Sequence, residues 1–214
     1  MPDPIERGLR STRAVLVECA IVSAIVFVAY AVSHPDAVST LGRLYDDVVY
    51  LSVGKSIAEG HGYRSAHLVG APVQAKFPPL LPAMYALCWL AFGALNAVAT
   101  TALWLNIVGT AASAGVLWWL ARAELGIDPV LTALFVVVPI VTDRTMFYFS
   151  GAASEPWMLL GWAVSLVLVR RLTRTATAGR RTTAVAVALG LTLAATALSR
   201  TQAAPIAGAS ASAR

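Results

Sequence analysis

Few side chains in this sequence can do chemistry, and they gather at the borders of apolar blocks. The first group is Tyr45-Asp46-Asp47-Val48-Val49-Tyr50-Leu51, followed by Gly60-His61-Gly62-Tyr63. On a helix Asp46 and Tyr50 share one face, and Asp47 and Leu51 another. Two adjacent carboxylates beside a membrane repel each other, which favours protonating one of them and suits a general base or a cation site. The alternative is a solvated helix start, where the helix dipole favours acids. The second group is Gln74-Ala75-Lys76-Phe77-Pro78-Pro79-Leu80-Leu81-Pro82. Lys76 there is either a point charge for a phosphate or an interface lysine reaching to headgroups. The third is Ser154-Glu155-Pro156-Trp157, which puts an acid at the first turn of an apolar helix. Glu155 is then a cap or a functional acid, because ionisable groups near lipid are costly. Asp143 and Arg144 lie upstream and are expected to pair, while Arg200 closes the last apolar block as a further candidate or a plain interface anchor.

These residues are positioned by the apolar blocks between them. There is no Asp, Glu, Lys or Arg between Lys76 and Arg122 or from Thr182 to Ser199, and only Glu18 and Asp36 between Arg13 and Arg43. A span of about 20 apolar residues crosses a ~30 Å hydrocarbon core as a helix, since lipid offers the backbone no hydrogen-bond partners. Five or six such segments are expected, at about 14–33, 78–92, 97–121, 129–142, 156–169 and 182–199. Pro78, Pro79 and Pro82 open the second, where amide donors lack partners anyway. Gly60 and Gly62 end the helix begun near Asp46. The polar stretch 34–77, with His34, His61 and His67, is a partly helical loop, and 203–214 is a disordered tail. The fold class is all-α, a polytopic membrane helix bundle forming one domain over 1–214.

Composition excludes a soluble domain. The chain is 58% hydrophobic and 13% charged with a mean hydropathy of +0.71, against roughly a quarter charged in soluble domains. The net charge of +5 does not indicate nucleic acid. Arg7, Arg10 and Arg13 precede the first segment, and Arg170, Arg171, Arg174, Arg180 and Arg181 crowd one short polar stretch. That is the pattern of cytoplasmic loops. It places the N-terminus in the cytoplasm and both 34–77 and Glu155 on the far side. Three full crossings between Phe77 and Glu155 would spoil this, so the short fourth segment is expected to be re-entrant or partial. Cys19 and Cys88 are expected as free thiols, since neither has ligand spacing. The first segment is longer than a signal core and lacks a cleavage pattern, so it is expected to be an anchor.

The order of the three groups resembles a known family. An external loop with an acid pair and Tyr, then Gly-x-Gly-Tyr, then Lys-x-Pro-Pro-Leu, then Ser-Glu-Pro before a later span is similar to the polyprenyl-phosphate-sugar glycosyltransferases of the GT-C fold. The nearest likeness within them is to the protein mannosyltransferase and lipid A aminoarabinose transferase group, with the Rgt-like bacterial enzymes. The resemblance covers about 10–200, the N-terminal portion of such an enzyme. It implies Asp46 as catalytic base with Asp47 beside it, Lys76 near the donor phosphate or the second acid, Glu155 as that later acid, and Tyr50 in a positional role. It further implies an inverting transfer at the outer face of a bacterial cytoplasmic membrane, from a lipid-linked sugar donor to a glycan, lipid or protein acceptor. No cofactor is indicated; a divalent metal is compatible with the resemblance but not indicated by it. Since family members are longer, the chain is expected to be inactive alone or to depend on a partner chain supplying the remaining half.

Two other classes compete. A small transporter or channel subunit would line a cation path with Asp46, Asp47 and Glu155, and a membrane scaffold would use the loop only for packing. Transporters place charges and broken helices near the midplane, whereas these acids stand at apolar borders.

Overall fold

The structure, a computed structural model, describes residues 4–33, 41–42, 45–149, 151–174 and 179–200, with side chains for all of these except 4–11, 45 and 181. His34, the side chain of Arg181 and the 203–214 tail lie outside that set. The described residues form an all-helical bundle. In chain order the helices are α1 (Pro4–Ser33), α2 (Tyr45–Ala58), α3 (Leu80–Phe92), α4 (Leu95–Trp119), α5 (Pro129–Thr132), α6 (Val138–Ile140), α7 (Asp143–Phe149), α8 (Glu155–Arg174) and α9 (Arg180–Ser199). A π-helical turn, Leu120–Glu124, prolongs α4, and another, Ala133–Val137, joins α5 to α6. The second turn lies just before Pro139. A proline inside a helix removes an amide donor and crowds the carbonyl four residues back, so the preceding turn widens.

Local chemistry accounts for the other boundaries. Asp46 and Asp47 occupy the first turn of α2 and Lys55 its last, which suits both ends of the helix dipole. Gly60, at φ 78°, carries the chain out of α2 in a left-handed conformation that residues with a Cβ avoid. Pro79 caps α3, and Gly93, at φ 67°, ends it with its amide bonded to the Trp89 carbonyl.

Among the described residues, three helical stretches are long and apolar enough to cross a membrane: Thr12–Ser33, Leu95–Glu124 and Thr182–Ser199. A fourth exists if Pro129–Ile140 and Asp143–Phe149, bent by 58°, count as one. This is fewer than the five or six segments expected from sequence, for identifiable reasons. Helix α3 has 13 residues, a length of about 20 Å at 1.5 Å per residue, short of the hydrocarbon core. In α8, Glu155 at one end and Arg170, Arg171 and Arg174 at the other trim the uncharged stretch.

The direction of each helix follows from its contacts. Glu18 of α1 accepts hydrogen bonds from Trp118 Nε1 at 2.9 Å and Arg122 Nε at 3.0 Å, while Phe27 stacks near Trp104 at 5.9 Å. So α1 and α4 run antiparallel, and α4 starts at the end where α1 stops. The core between them is Val22, Val26 and Tyr30 against Ala99, Leu103, Ile107, Ala111, Ala114 and Trp118. The fourth segment climbs along α1 from the Glu18 level, where Ala133 and Val137 adjoin it, to Tyr30, whose hydroxyl donates to the Ile140 carbonyl at 2.8 Å. Helix α8 returns from Tyr50 to Glu124, which Arg174 holds at 2.5 Å, and α9 comes back beside it, Thr196 against Gly161. The segment expected to be partial is bent, its two pieces Pro129–Ile140 and Asp143–Phe149 meeting at 58°, and it lies along α1 from Glu18 to Tyr30. Helix α3 stays at the end where it begins, packed on α2. Loop 45–79 and Glu155 still share one end, because the helix that does not run through is α3.

Helices α2 and α3 approach most closely at Gly54, where an added Cβ would lie 3.0 Å from the Pro82 carbonyl oxygen and 3.1 Å from the Ala86 nitrogen. Backbone cannot swing aside as a side chain does. Gly54→Leu is expected to lower stability by about 1–3 kcal/mol, read as a lower melting temperature of the protein in detergent. Gly190→Leu, at a helical glycine with nothing within 4 Å, should leave the melt unchanged. Equal melting of the two variants would contradict the α2–α3 packing.

Candidate active site

The site is built on α2. Trp89 Nε1 of α3 donates to the Leu51 carbonyl at 2.9 Å, and the ammonium of Lys55 lies 5.5 Å from the Trp89 ring centroid. Below these, Tyr50, Leu51, Leu81, Tyr85, Cys88, Val98, Ala102 and Ala152 form one apolar cluster. The loop after α2 folds back on it. Ser52 Oγ meets His67 Nδ1 at 2.7 Å, Ser56 Oγ donates to the Gly62 carbonyl at 2.9 Å, and the Tyr63 hydroxyl donates to the Phe77 carbonyl at 2.6 Å.

The two adjacent acids have different surroundings. Asp47 is 1% exposed, and its carboxylate accepts the amides of Gly42 at 3.0 Å and Val48 at 2.6 Å. It ties the entering loop to the first turn of α2. Asp46 is half-buried and turns towards Tyr50. A helix separates successive side chains by about 100°, so one member of the pair faces the core and the other the site.

Tyr50 links the three groups of the sequence. It is 1% exposed and hydrogen-bonds the Ser154 side chain, and Asp46, Glu155 and Arg200 all act on it electrostatically. Burial raises the pKa of its hydroxyl most; the Ser154 bond opposes this, Asp46 and Glu155 add to it, and Arg200 opposes it. Glu155 and Arg200 form an ion pair, each about a quarter exposed at 23% and 24%. Lys76 is exposed, its ammonium 4.9 Å from the Phe77 ring, and Phe77 stands edge-on to Tyr50 at 5.3 Å. The structure thus brings Asp46, Tyr50, Glu155 and Arg200 together, sets Lys76 at their rim, and assigns Asp47 to the scaffold. Asp143 and Arg144, expected to pair, are exposed neighbours on α7 and form no ion pair among the described residues. Cys19 and Cys88 are free thiols on separate helices.

Glu155 is held in place by residues that the sequence analysis passed over. Asn106, fully buried in α4, donates to the carbonyls of Gly151 and, at 3.1 Å, Ala153, while its Oδ1 accepts Trp157 Nε1 at 2.8 Å. Ser113 Oγ reaches the Pro156 carbonyl at 3.3 Å. The signal was present in the sequence, since an asparagine inside an apolar span is costly unless its amide is satisfied. Beyond Trp157 of this network, Leu80, Trp157, Leu160, Gly161, Leu191 and Ser199 line an apolar groove of about 380 Å³ between α3, α8 and α9. It opens beside the Glu155–Arg200 pair. Among the described residues no three His, Cys, Asp or Glu side chains cluster as a metal site would require.

The acid pair predicts an asymmetry in stability. Asp47→Ala leaves the Gly42 and Val48 amides without their acceptor and is expected to cost about 1–3 kcal/mol, whereas Asp46→Ala should shift the thermal melt far less. Equal shifts would contradict the two roles. Tyr63 supplies a pH test: burial, with Tyr50 nearby, pushes its hydroxyl from the ordinary 10.0 up to about 12. The folded state then favours the neutral phenol, a stabilisation complete below pH 10.0 and lost as the pH rises towards about 12. Difference absorbance of tyrosinate between wild type and Tyr63→Phe should show no Tyr63 ionisation at pH 10.0; half-ionisation there would refute it.

Compared with known proteins, this chain matches no family model, no curated protein and no solved structure.

Proposed function

We propose that this chain is a membrane glycosyltransferase, or the N-terminal part of one, that moves a sugar from a polyprenyl-phosphate donor to an acceptor at the outer face of the cytoplasmic membrane. The observation that carries the reading is the convergence on Tyr50 of one accessible carboxylate, Asp46, with the Glu155–Arg200 pair. Asp46 accepts the proton of the acceptor hydroxyl or amine as that group attacks the anomeric carbon. The bond from that carbon to the phosphate oxygen breaks, and the departing polyprenyl phosphate keeps the electron pair. That leaving group needs no proton if cations face it. Arg200 acts on Tyr50, and the exposed Lys76 lies beside Phe77, so two cations border the site. Glu155 holds Arg200 in place, and the groove along Leu80, Trp157 and Leu160 provides an apolar bed for the lipid beside the site. The clustering of the acids at one end of the bundle favours this reading over a cation path through its middle.

The test is release of polyprenyl phosphate from lipid-linked sugars by membranes carrying the full chain. Asp46→Asn is expected to lower turnover about a hundredfold or more, the range for a general base, while expression and melting stay unchanged. Lys76→Gln should raise KM for the donor more than it lowers kcat. Turnover unaffected in Asp46→Asn would sink the assignment. Loss of ion flux without any transfer would indicate a transporter subunit, and indifference in both assays a scaffold.

A further inference from the structure

The loop between α2 and α3 ends in a tip that glycosyl transfer does not use. Residues 63–65 and 72–74 pair as two short arms. The Gln74 amide donates to the Tyr63 carbonyl and the Ser65 amide to the Pro72 carbonyl, both at 2.9 Å, and Arg64 and Val73 form an antiparallel bridge. The Gln74 side chain donates to Ser65 Oγ at 3.0 Å, and the Arg64 guanidinium to the Ala71 carbonyl at 3.2 Å. Between the arms the chain makes two successive turns, the Leu68 amide on the Ser65 carbonyl and the Ala71 amide on the Leu68 carbonyl, both at 3.0 Å. Gly70 at φ 77° and Ala71 at φ 40° close the second turn. A residue with a Cβ avoids that region, so the arms hold the turn in a fixed shape. The contact of His67 Nδ1 with Ser52 Oγ fastens the loop to α2.

This ordered tip presents hydrocarbon. Val69 is 104% exposed, and Leu68 and Val73 are exposed as well. No Asp, Glu, Lys or Arg stands between Arg64 and Lys76, and no acid between Glu59 and Glu124. The loop is therefore apolar at its tip and cationic at its two arms, where Arg64 and Lys76 are exposed. A tip shaped for water would carry polar side chains and could leave its amides to solvent. Here the amides of Ser65, Leu68 and Ala71 are bonded within the loop, which suits a medium that offers the backbone few partners. Helix α3, into which the loop leads, exposes Leu87, Leu90 and Phe92, the outer face of a helix that meets lipid. Binding at a bilayer interface grows with apolar area and with attraction between cations and acidic lipid, and this loop supplies both.

We propose that the turn at Leu68 and Val69 is a membrane anchor, entering the headgroup region of the leaflet at the Tyr50 end of the bundle with Arg64 on the acidic headgroups. The partner is the bilayer itself, and the anchor is independent of Asp46 and of the transfer reaction. Its effect reaches the site through Tyr63, whose hydroxyl holds the Phe77 carbonyl at 2.6 Å while the Phe77 ring stands edge-on to Tyr50. Anchoring the loop fixes the level at which the rim beside Tyr50 meets the lipid surface.

The test uses the full chain with Cys19→Ala and Cys88→Ala, carrying one environment-sensitive fluorophore on Val69→Cys, in nanodiscs of phosphatidylglycerol and phosphatidylcholine. Nitroxide-bearing lipid is expected to quench the label at 69 several-fold more than a label on His61→Cys, an exposed position near the end of α2, and aqueous iodide to do the reverse. Leu68→Cys should behave as Val69→Cys does. Arg64→Gln should lower the lipid quenching at 69 to the level seen in phosphatidylcholine alone, and Arg64→Lys should keep it. Size-exclusion monodispersity and an unchanged helical circular dichroism signal show that each variant is folded. Equal iodide quenching at 69 and 61 would overturn the anchor. A label at 69 shielded from both quenchers would also overturn it, by assigning the tip to a protein contact. Lipid quenching that ignored both phosphatidylglycerol and Arg64→Gln would overturn the headgroup contact.

Discussion

A single amide in the middle of α4 governs how the rest of the bundle meets. Lipid satisfies no backbone group, so an irregular segment survives at membrane depth only if protein bonds its carbonyls. The turn at Gly151–Ala153 is such a segment. Asn106 donates to the carbonyls of Gly151 and Ala153 and takes the Trp157 indole on its amide oxygen. That one side chain therefore fixes the start of α8, and with it Ser154 and Glu155, against α4. Thr110 and Ser113 continue the same face, their hydroxyls bonded back to the carbonyls of Asn106 and Gly109 at 2.8 and 2.7 Å. The rigid polar seam is what lets an acid stand beside an apolar span with its position determined.

The other half of the site is held from the opposite direction. Asp47 ties the loop at Gly42 to the first turn of α2, and Gly54 lets α2 lie against the backbone of α3. Tyr50 is the meeting point, buried by both halves and sensing the charges of both. A site assembled from two separately anchored parts gains precision from each anchor, since a reacting group misplaced by about 1 Å loses much of its effect.

Much of the helical pattern was legible because it depends on local rules. The uncharged blocks, the prolines before Leu80, Gly93 after Phe92 and the arginine cluster after Val169 each mark a boundary that the structure places within a few residues. The acids and Lys76 were legible as exceptions at those boundaries. Where the two short blocks lie in the bundle was not, because hydropathy measures composition and α3 and α5–α6 are similarly apolar. Packing places them: α3 rests on α2, while the fourth segment lies along α1 and meets Tyr30.

By itself, then, the amino-acid sequence determined that this is a helical membrane protein, where its longer helices begin and end, and which few ionisable residues stand at their borders. Those are consequences of transfer energies and backbone preferences that act over one or two turns. The tertiary structure alone decided that Asp46 faces the site while Asp47 faces the core, that Arg200 is the partner of Glu155, and that Asn106 holds the turn between them. Contacts between residues 45 to 51 positions apart depend on how whole helices dock. No local pattern encodes that docking, because it is the sum of many small packing terms spread over the entire chain.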